Sequence, residues 1–516
     1  FRARVRFVVE RAVGDWRFVF GRSASISLPT EVASCSQLVA EVKKLLGSCP
    51  SDSHAEVMAW QSIKKLMPDS CRCMELPMME KLAEDFLRPS KKLPPGYLRF
   101  VEQESRRLFR KGWDLNYESE VLTTSPPVSA TTESTRAQGG ALGTEIDHSD
   151  FLYECLQGPS RPERPRPEAQ LMVVQSSGKP RPLTKFSADE LLLRPLHRTM
   201  YDHLSKNKWL SRGDVSAEGL GKAGFSSSLG GVLTSGDYKS ATDQLSIEVA
   251  ETILATALRS SSVIPESVKQ RALLILRPFL YRMEGDGPPC CQTRIDVGIP
   301  NIGQMMGSYL SFPLLCLQNR IAFLWSMRVA GLSGARIMPC LINGDDILFQ
   351  SSETVSKVWL DTVGELGLEV ERTKTSVDVE YGSLNSTLLR FVGGYLRVVP
   401  TLRLGRLRKS SYVNSLGREF SLFLHGVSSN IRFRAGIVWF RRKLCSLRST
   451  RLTLFECGFR GSLALRLGKL FDLPLAAKEF EECPPPPVGH NVVLSSEDFV
   501  RVPIGEVDSA LSQAAA

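Results

Sequence analysis

No two cysteines of this chain stand three positions apart, so it has no CxxC pair. It holds 12 cysteines in 516 residues; Cys71 and Cys73 are separated by one residue, and Cys290 and Cys291 are adjacent. Neither spacing suits a structural zinc site. Reduced, unligated thiols are expected, the ordinary state in a cytosol. Long uninterrupted apolar runs are lacking too. Phe1 to Arg22 alternates charged and apolar residues, without the apolar core of a signal peptide. The most apolar stretch, Ile302 to Leu332, is broken by Gln304, Gln318, Asn319, Arg320 and Arg328. That pattern predicts buried helix and no membrane span. Histidine is scarce; His197 and His203 have no neighbours suited to a ligand site, which predicts structural roles for both. No internal repeat is evident.

What is present is ordinary globular material, 42% hydrophobic and 23% charged. At ~150 residues per unit the length suggests about three domain-sized parts. The net charge of +10 favours anionic partners such as nucleic acid. That charge is concentrated. Thr401 to Leu470 carries 15 Lys and Arg against Glu419 and Glu456, a local +13, so the remainder is slightly acidic. Tyr412, Phe420, Phe433, Trp439 and Phe440 are interleaved with those cations, as on a surface that follows phosphates while burying its other face. Gln37 to Leu46 and Ala55 to Met67 have helical apolar spacing. Thr123 to Gly143 reads as a loop, Gly158 to Gln170 as a Pro- and Arg-rich connection, and CPPPPVGH from Cys483 to His490 as an extended break.

Four segments carry chemistry, and their order matters more than any one of them. In VVQSSGKPRPLTKF, Lys179, Arg181 and Lys185 line an extended stretch, where alternating cations share one side and suit a triphosphate or template phosphates. In GVLTSGDYKSATDQLS, apolar Val232 and Leu233 lead to Asp237 at a strand end, and Asp243 follows six positions later at a helix start. In GIPNIGQMMGSYLSFPLLCLQNR, Gly298, Gly303 and Gly307 precede Ser311 and a long apolar helix; the glycines permit close approach and Ser311 offers a hydroxyl near a sugar. In RIMPCLINGDDILFQ, Gly344, Asp345 and Asp346 lie between two apolar runs, which predicts a tight β-hairpin with two carboxylates at its tip. Joining nucleotides requires activating a 3′-hydroxyl and stabilising a departing pyrophosphate. Two Mg²⁺ ions ~3.5–4 Å apart, held by carboxylates from two strands, serve both oxygens. An isolated Gly-Asp-Asp is a common turn; basic strand, Asp strand, Gly-Ser helix and Gly-Asp-Asp hairpin in this order are not.

At this point the chain resembles viral RNA-dependent RNA polymerases, more narrowly those of ourmia-like mycoviruses (the botourmiavirus family), related to narnaviruses, mitoviruses and leviviruses. DYKSATDQLS, GQMMGSYLSFPLLCLQN, GWDLNYESEV and ESTRAQGG carry the resemblance, which covers roughly Pro94 to Arg397. It implies an α+β right-hand fold of fingers, palm and thumb, with an antiparallel palm sheet flanked by helices. The implied division is an N-terminal extension over 1–90, fingers and fingertips over 91–235, palm over 236–246 and 298–397, a fingers insertion over 247–297, a basic thumb over 398–482 and a tail over 483–516. Asp237, Asp345 and Asp346 are implied ligands of two Mg²⁺ or Mn²⁺ ions. Lys374, in LGLEVERTKTSV, aligns with a lysine that protonates departing pyrophosphate. Lys179 and Arg181 would hold the triphosphate, and Asp243 and Ser311 the ribose 2′-hydroxyl. Lys185, Gly307, Arg441 and Arg442 are the expected RNA contacts. FVGGYLR, Phe391 to Arg397, is a candidate primer-strand hairpin. Many positive-strand relatives place Asn four residues after the Ser or Thr; here that position is Leu315, and Asn319, a turn later, is the candidate substitute. The implied partners are RNA template and duplex, and ribonucleoside triphosphates, with a monomer acting in the host cytoplasm rather than the mitochondrion.

Two rival readings fit the sequence less well. A reverse transcriptase would show an aromatic Tyr-X-Asp-Asp centre and a bulky residue against the 2′-hydroxyl, where this chain has Asn343-Gly344-Asp345-Asp346 and Asp243. A non-catalytic RNA-binding scaffold would suit the +13 segment, but its metal carboxylates would be free to drift, and both are present.

Overall fold

In the computed structural model, the described residues are 1–475 other than 24, 26–27, 159–164, 240, 286–290 and 409–411. The expected tail over 483–516, with its proline run, and part of the Gly158 to Gln170 connection lie outside them. The chain divides into two compact units, one of 1–6, 28–43 and 67–399, the other of 7–27, 44–66 and 400–516.

The first unit is α+β. Its strands are β1 (Glu168–Val174), β2 (Arg181–Phe186), β3 (Val232–Gly236), β4 (Phe279–Glu284), β5 (Thr293–Gly298), β6 (Cys340–Asn343), β7 (Asp346–Ser351), β8 (Ser376–Asp378), β9 (Tyr381–Leu384), β10 (Thr387–Val392) and β11 (Tyr395–Val399). They form three sheets, ordered β2-β1-β4-β5, β6-β7-β3-β8 and β11-β10-β9. The second is antiparallel throughout, with Gly236 opposite Ile347 and Asn343 opposite Asp346. Phe391 to Arg397 is the β10–β11 hairpin, turning at Gly393-Gly394.

Period-two alternation builds the central sheet. Cys340, Ile342, Ile347 and Phe349 point into the main core, whereas Leu341, Leu348 and Leu233 point the other way, against Leu384, Leu389 and Leu396 of the small third sheet. On the main-core side lies helix Ser311–Val329, of whose residues fifteen are buried. A helix buried around nearly its whole circumference belongs inside a large core. Among the described residues, no helix is long and apolar enough to cross a membrane. Phe323 meets Phe349 with ring centroids 5.1 Å apart, Phe349 meets Trp359 at 5.3 Å, and Trp359 meets Tyr238 at 6.0 Å. This aromatic chain underlies the strand ends that carry Asp237 and Asp346; truncating such a ring costs about 3–5 kcal/mol.

The stretch expected as one fingers insertion, 247–297, is shared between two places. Helix Ile247–Arg259 buries Ile247, Ala250, Ile253, Leu254 and Ala257 in the main core, whereas β4 and β5 extend the β1–β2 sheet, with β4 parallel to β1.

The second unit is helical. Helices Leu416–Leu424, Ser429–Ser449 and Gly461–Leu470 surround Phe420, Trp439, Phe440 and Phe459, whose rings lie 5.2–5.7 Å apart. The expected division of aromatics from cations holds for Phe420, Trp439 and Phe440, which are buried, whereas Tyr412 is exposed. The N-terminal 90 residues are not one extension. Residues 7–27 and 44–66 belong with the basic segment, and Trp16 packs edge-on against Trp60 at 5.0 Å.

Candidate active site

β3 ends at Gly236, so Asp237 emerges beside Asp346, the first residue of β7. Asp345 sits in the two-residue β6–β7 turn. Gly344, the first residue of that turn, has φ +62° while Asp345 does not share the positive φ, the pattern of a type II′ hairpin. Residues 237 and 345, distant in sequence, thus meet at one end of the sheet. The Asp237 N–H donates to Thr375 Oγ1 at 3.3 Å, and its carbonyl accepts from the Glu371 N–H at 2.8 Å. This pairing folds the following segment back, and Lys374 Nζ reaches within 3.0 Å of Asp237 Oδ2.

Burial pushes the Asp345 carboxyl above its ordinary range, and the charge of Asp237 pushes the same way. Asp346 rises to about 6, through burial and then through Asp345 and Asp237; a backbone hydrogen bond from Asn385 opposes the rise. Lys374 acts on both carboxyls and Arg181 on Asp345, each favouring the charged form. The three carboxylates are not a closed cage: among the described residues their oxygens do not all lie within 4.8 Å of one another. Crowded, half-desolvated carboxylates of this kind are relieved by a bound cation.

A second set of groups lies alongside. The Gly303 N–H donates to the Leu245 carbonyl and the Gln304 N–H to the Thr242 carbonyl, both at 2.7 Å, which lays the Gly-Ser loop beside Asp243. Burial lifts Asp243 to about 6, Asp85 adding to the effect and the Thr242 hydroxyl and Lys179 opposing it. Ser311 opens its helix and is almost wholly buried. Lys179 and Arg181 are exposed on the β1–β2 hairpin, whereas Lys185 is half-buried and its pKa is lowered by that burial despite nearby Glu133. The Gly307 N–H donates to Thr184 Oγ1 at 3.0 Å, and a Cβ at Gly307 would stand 1.9 Å from the Thr184 carbonyl oxygen. Glycine is therefore required there to let the loop meet β2.

Residues 172–381 match the sequence family described as mitovirus RNA-dependent RNA polymerase. A stretch of 178 residues is 31% identical to the RNA-dependent RNA polymerase of Ourmia melon virus (isolate Melon/Iran/VE9), covering 33% of this chain and 20% of that protein. The central region is similar to viral RNA-dependent RNA polymerases of the ourmia-, mito- and narnavirus-like group. The matched stretch spans only a fifth of the length of that curated relative. The crystal structure of the RNA-dependent RNA polymerase of a human picorbirnavirus superposes with TM-score 0.52 at 12% identity, over 81% of this chain and 84% of that one. The fold is the right-hand polymerase fold.

Two residues expected to contact nucleotide or RNA are placed otherwise. Asn319 is fully buried: its Nδ2 donates to the Gly344 carbonyl at 3.0 Å, and its Oδ1 accepts from the Tyr238 hydroxyl at 2.8 Å. It holds the acidic turn from behind and presents nothing to a nucleotide. Leu315, at the position of the family's Asn, is also buried in the core. Arg442, expected to meet RNA, donates Nε to Asp15 Oδ2 at 2.9 Å with its side chain 12% exposed, so its charge is already matched; Arg441 remains exposed, over the Phe18 ring. His203 is structural as expected, with Nε2 2.7 Å from the Leu108 carbonyl. Sequence reading missed Tyr238 and Cys316, whose Sγ accepts from the Gly344 N–H at 3.3 Å. It also missed Gln304, whose Nε2 donates to the Ser311 carbonyl at 3.4 Å and whose Oε1 is buried without a partner. Only the three-dimensional approach of helix and hairpin assigns these roles.

Proposed function

We propose that this chain is an RNA-directed RNA polymerase that joins ribonucleotides on an RNA template, using two divalent cations at Asp237, Asp345 and Asp346. The observation that carries the reading is the meeting of Asp237, at the end of β3, with Asp345 in the β6–β7 turn under Lys374. An all-carboxylate donor set fits hard, oxygen-seeking Mg²⁺ or Mn²⁺. When bound, such a pair would neutralise charge on the attacking and leaving oxygens.

The chain's own groups divide the remaining work. Lys179 and Arg181 grip the triphosphate from the β1–β2 hairpin, where exposed cations suit phosphate oxygens. Asp243 and Ser311 accept and position the ribose 2′-hydroxyl, which favours ribonucleotides over deoxyribonucleotides. Lys374 carries a proton toward the pyrophosphate as it departs. Arg441 and the other unmatched cations of the basic segment follow the RNA backbone. Ten free cysteines among the described residues suit a reducing compartment, such as host cytoplasm.

The test is template-directed ribonucleotide incorporation by wild type and Asp345→Asn. Wild type extends RNA with ribonucleotides in Mg²⁺ or Mn²⁺, and the variant loses about 10²–10³-fold while keeping its fold. Equal incorporation by both would remove Asp345 from the chemistry. Preferential use of deoxynucleotides would favour a reverse transcriptase.

A further inference from the structure

Away from the acidic site, three thiols that sequence spacing gave no reason to connect stand together. Cys35 begins helix Cys35–Gly47, Cys71 precedes the short turn Arg72–Met74, and Cys73 lies within it. Their sulfur atoms all lie within 4.8 Å of one another. Cys35 is buried, Cys71 half-buried and Cys73 exposed, and none is in a disulfide. Local spacing gave no sign of this cluster, because Cys35 lies 36 positions upstream of Cys71, outside any local motif.

We propose that Cys35, Cys71 and Cys73 form a thiolate site for one thiophilic cation of the zinc class, with water in the fourth, solvent-facing position. Sulfur-only donors select soft or borderline ions and reject Mg²⁺, so the site is chemically separate from the carboxylates. At a Zn–S distance of about 2.3 Å, tetrahedral sulfurs stand ~3.8 Å apart. The thiols need to close by about an ångström at most, well within side-chain rotation. Binding deprotonates them: three S–H bonds break, three S–metal bonds form and three protons leave to solvent.

The surroundings indicate what the ion would do. The segment that carries Cys71 and Cys73 clamps the loop leading to Lys179. The Gly178 N–H donates to the Pro68 carbonyl at 2.8 Å, Asp69 and Ser177 form an isolated β-bridge, the Ser70 hydroxyl bonds Gln175 Oε1, and Gln175 Nε2 bonds Glu75. Tying this segment to helix Cys35–Gly47 through a metal closes a long chain loop and restricts the turn of the β1–β2 hairpin. The site is a brace for the basic hairpin. The metal site itself does not depend on the polymerase reading, and its test uses no activity.

The experiment is Cd²⁺ titration of the reduced, chelator-treated full chain, followed by the ultraviolet thiolate-to-cadmium charge-transfer band. One equivalent should saturate the band, and Zn²⁺ in large excess should compete it away. Cys73→Ser, an exposed change that the fold tolerates, should weaken binding by more than the roughly 10–100-fold that loss of an outer-shell partner costs. The triple variant Cys35→Ser, Cys71→Ser, Cys73→Ser should abolish the band, and Cys445→Ser should leave it intact. No band in wild type, or an undiminished band in the triple variant, would overturn the site. Zn²⁺ should also slow amide hydrogen exchange in 67–75 and 175–181 of wild type and not of Cys73→Ser; unchanged exchange on saturation would overturn the brace.

Discussion

The Asn319 side-chain amide donates to the Gly344 carbonyl at 3.0 Å while accepting from the Tyr238 hydroxyl at 2.8 Å. One buried side chain thus links the residue after Asp237 to the residue before Asp345. Cys316, one turn earlier on the same helix, takes the Gly344 N–H. The distance between the two acidic segments is set by this network from behind, as well as by the strand pairing.

Replacing Asn319 with Ala strands a buried carbonyl and hydroxyl, which costs about 1–3 kcal/mol of stability. The catalytic consequence is separable from that loss. Asn319→Ala should lower kcat with little change in KM for ribonucleotides or in the ribose-to-deoxyribose preference, because Asn319 does not face the sugar. Steady-state kinetics on both nucleotide types checks this; a selective loss of ribose preference would return Asn319 to the nucleotide site. Tyr238→Phe removes one hydrogen bond and should fall between the two.

Lys374 and Asp237 form a largely solvent-accessible ion pair, with side chains 61% and 27% accessible. Exposed pairs contribute about 0–1 kcal/mol, so Lys374→Ala should barely move the Tm. As a proton donor to pyrophosphate, however, Lys374 should contribute about 10²–10⁴-fold to rate. The expected outcome is a large fall in kcat, partly restored by Lys374→His as the pH is lowered. A fall in stability with unchanged kcat would make the pair merely structural.

Asp243 gives a pH dependence of definite sign. Its folded carboxyl titrates near 6 against an ordinary 3.8, chiefly through burial. The folded state therefore holds more protons than the unfolded state between these values, and stability falls as pH rises through that window. Asp243→Asn removes the effect. In chelator, the Tm difference between Asp243→Asn and wild type should widen from pH 4 to pH 6, by on the order of a few degrees, and then level off. The same variant should weaken discrimination against deoxynucleotides. Melting curves across pH and paired incorporation assays test the two halves; a flat Tm difference would sink the first.

The acidic hairpin was legible in sequence because every local signal agreed. Apolar runs alternate on both sides, glycine opens the turn and two carboxylates follow, so secondary structure and exposure are dictated within a dozen residues. The helix beginning at Ser311 was legible for the same reason. Asn319 was misread because its role depends on how that helix is rotated against the hairpin, a tertiary fact with no local trace. Helix Arg2–Phe20 was missed although Val5, Val9, Val13 and Trp16 are buried along one stripe; arginines on the intervening positions disguise the period as alternation. The parallel pairing of β4 with β1 joins segments about a hundred residues apart and leaves no sequence signature.

Arg441 and Arg442 are adjacent in sequence, yet they should behave in opposite ways. Arg442 is spent on Asp15 and largely enclosed, so removing it leaves an unpaired, mostly buried carboxylate. Arg442→Ala should lower the Tm by several degrees and leave the affinity of the folded protein for RNA nearly unchanged. Arg441 is exposed and stacked over Phe18, and it acts on Asp15 only through longer-range charge. Arg441→Ala should leave the Tm alone, weaken RNA binding about equally across sequences and reduce the slope of log affinity against log salt by about one. Fluorescence anisotropy with duplex RNA at several salt concentrations measures both slopes. A reduced slope for Arg442→Ala at full folding would show that its pair with Asp15 opens to meet phosphate.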